Sequence, residues 1–207
     1  MTPLVAYGSK HGATAGIAEE IGRTLRDDGF DAVVLPADTV TDVSAYDGVV
    51  LGGALYAGHW TGKARRCARR NAEQLRRRPL WLFSSGPLDS SAEQHDIPPV
   101  RGVARRMKKL GAREHMTFGG AVTAETPGRV SRSLVRQGKG GDFRDPERIR
   151  AWAHHIGTEP DATRSWSGER TSFGAPGGAV NCRSWSARSL PPPYRPDRGG
   201  RAGRRPS

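Results

Sequence analysis

Between residues 9 and 14 the chain reads Ser-Lys-His-Gly-Ala-Thr, directly after an apolar run and directly before an amphipathic stretch with apolar residues at Ile17, Ala18, Ile21 and Leu25. Small residues at a strand-to-helix junction let backbone N–H groups converge on an anion, and the helix N-terminus adds its partial positive charge. Ser9 and Thr14 bring hydroxyl donors, Gly12 permits close backbone approach, and the His11 ring can donate. The chemistry this suits is phosphate binding. The spacing is neither the Gly-x-x-x-x-Gly-Lys-Ser/Thr of a Walker A loop nor the Gly-x-Gly-x-x-Gly of dinucleotide folds. An ordinary turn that tolerates small residues is the plain alternative.

Two further stretches have the composition of a site. "GGALYAGHWTG", residues 52 to 62, keeps the backbone close and flexible through Gly52, Gly53 and Gly58, while Tyr56, His59 and Trp60 offer ring faces on which a flat aromatic ligand could stack. The plain alternative for Trp60 is packing against the sheet. "SSGPLD", residues 84 to 89, is a turn able to lay backbone amides along a ligand edge. Phosphate cradle, aromatic wall and amide edge together describe a mononucleotide pocket for a planar ring.

These stretches need elements to carry them to one place. Strand-like runs "PLVAYGS", "DAVVLPA", "GVVLGGA", "PLWLFSS" and "HMTFGGAV" alternate with helical patterns. The first helix ends at Gly29 as C-cap, and residues 40 to 46 form a short helix or loop. A helix over 60 to 77 turns Ala64, Cys67, Ala68, Asn71 and Leu75 inward, with Arg65, Arg66, Arg69, Arg70, Arg76, Arg77 and Arg78 as a solvated face. Another covers 99 to 110. The last opens at Asp145 as N-cap with Pro146 at the first helical position, and buries Ile149, Trp152, Ala153 and Ile156. Five strands separated by helices predict an α/β, doubly wound parallel sheet with helices on both faces. In such sheets ligands bind beyond the carboxyl ends of the strands, where the strand order reverses. The three stretches follow strands one, three and four.

Composition bounds the function. The 207 residues carry a net charge of +12, with 35% hydrophobic content. The chain divides near residue 160: residues 1–160 form the folded domain, and residues 161–207 are a Gly-, Pro-, Ser- and Arg-rich tail that lacks either periodicity and is expected to be disordered. That tail holds nine Arg against three acidic residues, half of the net charge. Cys67 and Cys182 have no CxxC spacing, which excludes a zinc ribbon or a disulfide framework, and no metal site is expected. Arg outnumbers Lys 28 to 5 without an RNA-binding motif or aromatic-interleaved strip, so nucleic acid is not the expected partner. No apolar run of membrane-spanning length and no signal-peptide pattern occurs, so the expected location is the cytoplasm, with the positive charge allowing peripheral contact at the inner face of the membrane.

"YGSKHGATAGIAEEIG", "GVVLGGALYAGHW", "LWLFSSGPL" and "GDFRDPERIRAWAHHIG" resemble the flavodoxin-domain family, in particular its branch of menaquinone-dependent protoporphyrinogen dehydrogenases, over residues 3 to 157. The resemblance implies a flavodoxin-like sheet of order 2-1-3-4-5 and noncovalent FMN. It implies that Ser9, Lys10, His11, Gly12, Ala13, Thr14 and Ala15 hold the phosphate. Gly53, Ala54, Leu55, Tyr56, Ala57, Gly58, His59 and Trp60, with Ser84, Ser85, Gly86, Pro87 and Leu88, would hold the isoalloxazine. Two features depart from that branch: Pro146 replaces a frequent Trp, and the segment from Thr123 to Asp142 is short of apolar residues. The expected function is an FMN-dependent redox protein, either an oxidoreductase between a quinone and an anionic planar substrate such as a porphyrinogen, or a small electron carrier. A third reading is an interaction module with a degenerate flavin site. No catalytic acid or base is nominated.

Overall fold

A computed structural model of the chain describes residues 1–10, 12–86, 96–122, 136 and 141–159. Five parallel strands form the sheet, interrupted in chain order by a two-residue one: β1 (Leu4–Gly8), β2 (Val33–Pro36), β3 (Val49–Tyr56), the short β4 (His59–Trp60), β5 (Leu80–Ser85) and β6 (Glu114–Phe118). The order is β2-β1-β3-β5-β6, with β4 paired antiparallel to the end of β3. Counting the parallel strands alone, this is the 2-1-3-4-5 order expected.

Alternation along the strands decides which helix packs where. Leu4, Ala6, Val49, Leu51, Leu80 and Leu82 face one side, against α2 (Gly62–Arg70), α3 (Ala72–Leu75) and α4 (Arg101–Leu110). Val5, Val50, Trp81 and Phe83 face the other, against α1 (Ala13–Asp27) and α5 (Pro146–Thr158). Strands covered on both faces need apolar residues at every position, which is why the central three read as continuous apolar runs. The α5 start is as expected: the Asp145 carboxylate accepts from the Glu147 and Arg148 N–H groups, with Pro146 at the first helical position.

Register then assembles the site. Gly8 lies beside Gly53, Ala54 beside Ser85, and Ser85 beside Phe118, so the carboxyl ends of β1, β3, β5 and β6 share one edge.

Residues 40 to 46 are the loop of the two alternatives expected. The structure differs from the sequence reading in three places. The helix expected over 60 to 77 breaks at Asn71, whose side-chain amide donates back to the Cys67 carbonyl at 3.2 Å. That local bond competes with a continuous helix. The segment expected as a loop after β3 is a hairpin, with Ala57 at φ 47° and Gly58 at φ 73° turning β3 into β4. Two positive φ values match the twist of the flanking strands. The fifth strand stops at Phe118, and a two-stranded ladder follows, β7 (Ala121–Val122) with β8 (Gly141–Asp142). His11, Pro87, Leu88, most of the segment from Thr123 to Asp142 and the tail 161–207 lie outside the described residues.

Candidate functional site

The start of α1 lies directly beyond the carboxyl end of β1. Gly12 is its N-cap at φ 94°, a left-handed conformation open to glycine without strain, and no side chain caps the helix. The first intrahelical bond runs from the Gly16 N–H to the Gly12 carbonyl, so the Ala13, Thr14 and Ala15 N–H groups emerge from the helix end. Ser9 accepts from the Gly12 N–H at 2.9 Å, folding the loop back over them. No acidic residue lies in the first turn.

Thr14 supplies the independent observation. Its side chain is fully buried, yet its Oγ1 has no hydrogen-bond partner among the described residues. A buried hydroxyl without a partner costs about 1–3 kcal/mol. Thr14 lines a narrow cleft of about 70 Å³ with Ser9 and Ala13, the β3 end at Ala54, Leu55 and Tyr56, and the β5 end at Ser85 and Gly86. A phosphate placed there would satisfy the hydroxyl and the free N–H groups together.

The cleft brings together eight of the residues singled out from sequence and adds Gly120 and Ala121. These two carry no reactive group, so nothing in their chemistry marked them. Lys10 stands beside the cleft, its Nζ 5.5 Å from the centre of the Tyr56 ring, and Tyr56 is 45% exposed. Partial burial raises the Tyr56 phenol above its usual pKa, so it stays neutral. Gly53 lies beneath: a Cβ there would sit 2.9 Å from the Ala64 Cβ and 3.0 Å from the Trp60 ring.

Trp60 and Ser84 are corrections. Trp60 was expected to offer a ring face, but its residue is 2% exposed and its indole N–H donates to the Ser84 Oγ at 2.9 Å. Because β4 pairs back onto β3, the ring is carried into the core facing α2. The Ser84 hydroxyl is fully buried and also bonds the His115 Nε2 at 2.9 Å, so it is committed to the core. The hydroxyl accepts from the indole and shares its second hydrogen bond with the neutral imidazole, in the direction the tautomer sets. Burial holds the His115 pKa down from 6.5 to about 4, which keeps the ring neutral. This relay fastens the hairpin to β5 and β6. Ala57, Gly58 and His59 are exposed on the hairpin's far side, and the His59 Nδ1 contacts the Ala57 carbonyl.

A parallel sheet of this order with an anion cradle after β1 and a cleft between the ends of β3 and β5 defines a flavodoxin-type site. The family model described as "Flavodoxin domain" matches residues 4–141, and the chain belongs to that family. It is accordingly an FMN-binding protein, and the Thr14 cradle suits the FMN phosphate. No curated protein matches by sequence. Among solved structures, Flavodoxin 2 from Bacillus cereus aligns over 74% of this chain and 96% of its own, with 21% identity and TM-score 0.51. Rubredoxin oxygen:oxidoreductase from the anaerobe Desulfovibrio gigas aligns over 80% of this chain at 10% identity and TM-score 0.52. This chain spans only 37% of that protein's length, and both likenesses concern the fold.

Proposed function

We propose that the chain is an FMN-dependent oxidoreductase that passes electrons between a quinone and an anionic planar substrate of the porphyrinogen type. The observation that carries this reading is the Lys10 ammonium held over the exposed Tyr56 ring at the cleft. An ammonium beside the cleft favours a ligand that bears carboxylates. Bound FMN supplies one- or two-electron exchange. The chain's own residues do the rest. The Ala13 to Ala15 N–H groups and the Thr14 hydroxyl would hold the phosphate. Ala54 to Tyr56, Ser85, Gly86, Gly120 and Ala121, which line the cleft, would flank the ring and keep water from its edge. Residues 1–160 suffice for this, and the protein works in the cytoplasm or at the membrane's inner face, where a quinone is met; no helix among the described residues is long and apolar enough to cross a membrane.

A second reading, a small electron carrier, has its own support. Of the residues that line the cleft only Tyr56 titrates, and electron transfer alone needs no acid or base. Stopped-flow mixing of the anaerobically reduced protein with a menaquinone analogue separates the two. The oxidoreductase is reoxidised well above the buffer-and-oxygen control; no such reoxidation removes the quinone-linked reading and leaves the carrier.

A further inference from the structure

The arginines of the middle helices do two different jobs. Arg70 donates to the Val40 carbonyl, Arg76 to the Lys109 carbonyl, and Arg78 to the Tyr46, Gln74 and Ser44 carbonyls, while Arg77 pairs with Glu73. These tie loops to helices. Arg65, Arg66 and Arg69 do not. They line one wall of a groove of about 1000 Å³ between α2 and α4. The opposite wall repeats a cation every fourth residue, at Arg101, Arg105 and Lys109, with Arg106 beside them. A spacing of four puts these on one helix face.

Seven cations therefore face one groove, and among the described residues that line it none is acidic. Burial first, and then the neighbouring charges of Arg65 and Arg105, lower the Arg106 pKa from its usual value. The groove also has an apolar floor, formed by Ala68, Ala72, Val100 and Leu110. Charged walls over an aliphatic floor match an amphipathic segment whose polar face is acidic. They match a nucleic acid less well, because no Phe, Tyr or Trp lines the groove to stack a base. The chain's own residues 161–207 are basic, so charge argues against that segment as occupant.

Position adds the functional link. Ala57, Gly58 and His59 close one end of the groove, and Tyr56, the preceding residue of the same hairpin, lines the flavin cleft. We propose that the α2–α4 groove is the docking site for an acidic amphipathic helix of a redox partner protein, held by Arg65, Arg66 and Arg69 on one side and Arg101, Arg105 and Lys109 on the other. The docking rests on the electron-carrier reading above, yet the groove itself needs no flavin.

The test uses the full chain, with and without FMN, and a fluorescein-labelled helical peptide with Leu on one face and Glu on the other. Anisotropy gives the affinity at several salt concentrations. The variant Arg105→Glu binds at least tenfold more weakly than the parent, whereas Lys108→Glu, the same charge change on the same helix outside the groove, changes affinity less than threefold. Unchanged melting curves certify the variants, and since all keep the basic tail, the difference reads the groove. Replacing the peptide's Leu residues by Ser also weakens binding at least tenfold. Equal losses in groove and control variants, indifference to the Leu-to-Ser change, or tighter binding of a single-stranded oligothymidylate at the same salt each overturn the proposal. Binding that persists without FMN supports the groove alone. Failure of quinone reoxidation leaves that result standing.

Discussion

The two faces of one sheet treat the same ingredients in opposite ways. On the α1–α5 face, bulky aromatics fill the space: Trp152 stands edge-on to Phe118 and to Phe83, with centroids 5.6 and 6.5 Å away. Polar groups at its rim are paired, with Arg150 on Glu20 at 2.6 Å and the His154 Nδ1 against the Asp28 carboxylate at 2.8 Å. On the α2–α4 face the helices present Ala64, Cys67 and Ala68 to the sheet, and the cations between α2 and α4 face one another across a groove. The first face is arranged for stability. The second keeps charge unspent, and unspent charge is what a partner can use.

The largest expected effect tests the sealed face. Trp152→Ala should cost about 3–5 kcal/mol, read as a fall in urea midpoint at constant slope; a loss below about 1 kcal/mol would deny that the aromatics carry this side. Next comes the relay that holds the hairpin. The unfolded chain takes up the His115 proton near pH 6.5 and the folded one only near 4, so stability is full above 6.5 and drains as pH falls to 4. The amount is about 3 kcal/mol. His115→Gln should flatten that part of a pH series of urea melts; an unchanged slope would place the acid sensitivity elsewhere.

How far all this was legible follows from which forces act locally. Apolar alternation at Val5, Val50 and Phe83, the Asp145–Pro146 start and the opening of α1 after Gly12 were readable, because each is set by neighbours in sequence. The hairpin was not: Ala57 adopts a positive φ only because the pairing of Tyr56 with His59 over-determines it. Trp60 could be read as core or as site until register placed Ser84 beneath it. The groove was hidden for a related reason. Arg65, Arg66 and Arg69 look like a solvated face until α4 brings a second row opposite.

The comparison sharpens further with paired substitutions of smaller effect. Burial pushes the Glu20 carboxyl up, and the Arg150 and Arg23 guanidiniums more than offset that, holding it below its usual range. Arg150→Gln should therefore destabilise, by up to about 1 kcal/mol for a pair this close to the surface. Arg105→Gln should instead be neutral or stabilising by a few tenths of a kcal/mol, roughly the size of a like-charge pair on a helix surface, because it removes repulsion from the open face. Thermal melts at low and high salt distinguish them. Equal losses from both would mean that the two faces do not differ.

The central claim is that FMN is held by its phosphate at the start of α1, on Thr14 and the free N–H groups. Equilibrium titration of the flavin-free protein with FMN and with riboflavin, followed by quenching of flavin fluorescence, tests it most directly. Charge-assisted hydrogen bonds of about 1.5–3 kcal/mol each give FMN at least a hundredfold advantage over riboflavin. Thr14→Ala should weaken FMN by about ten- to a hundredfold and leave riboflavin unchanged. Equal affinity for the two flavins, or a Thr14→Ala loss shared by both, would contradict the account.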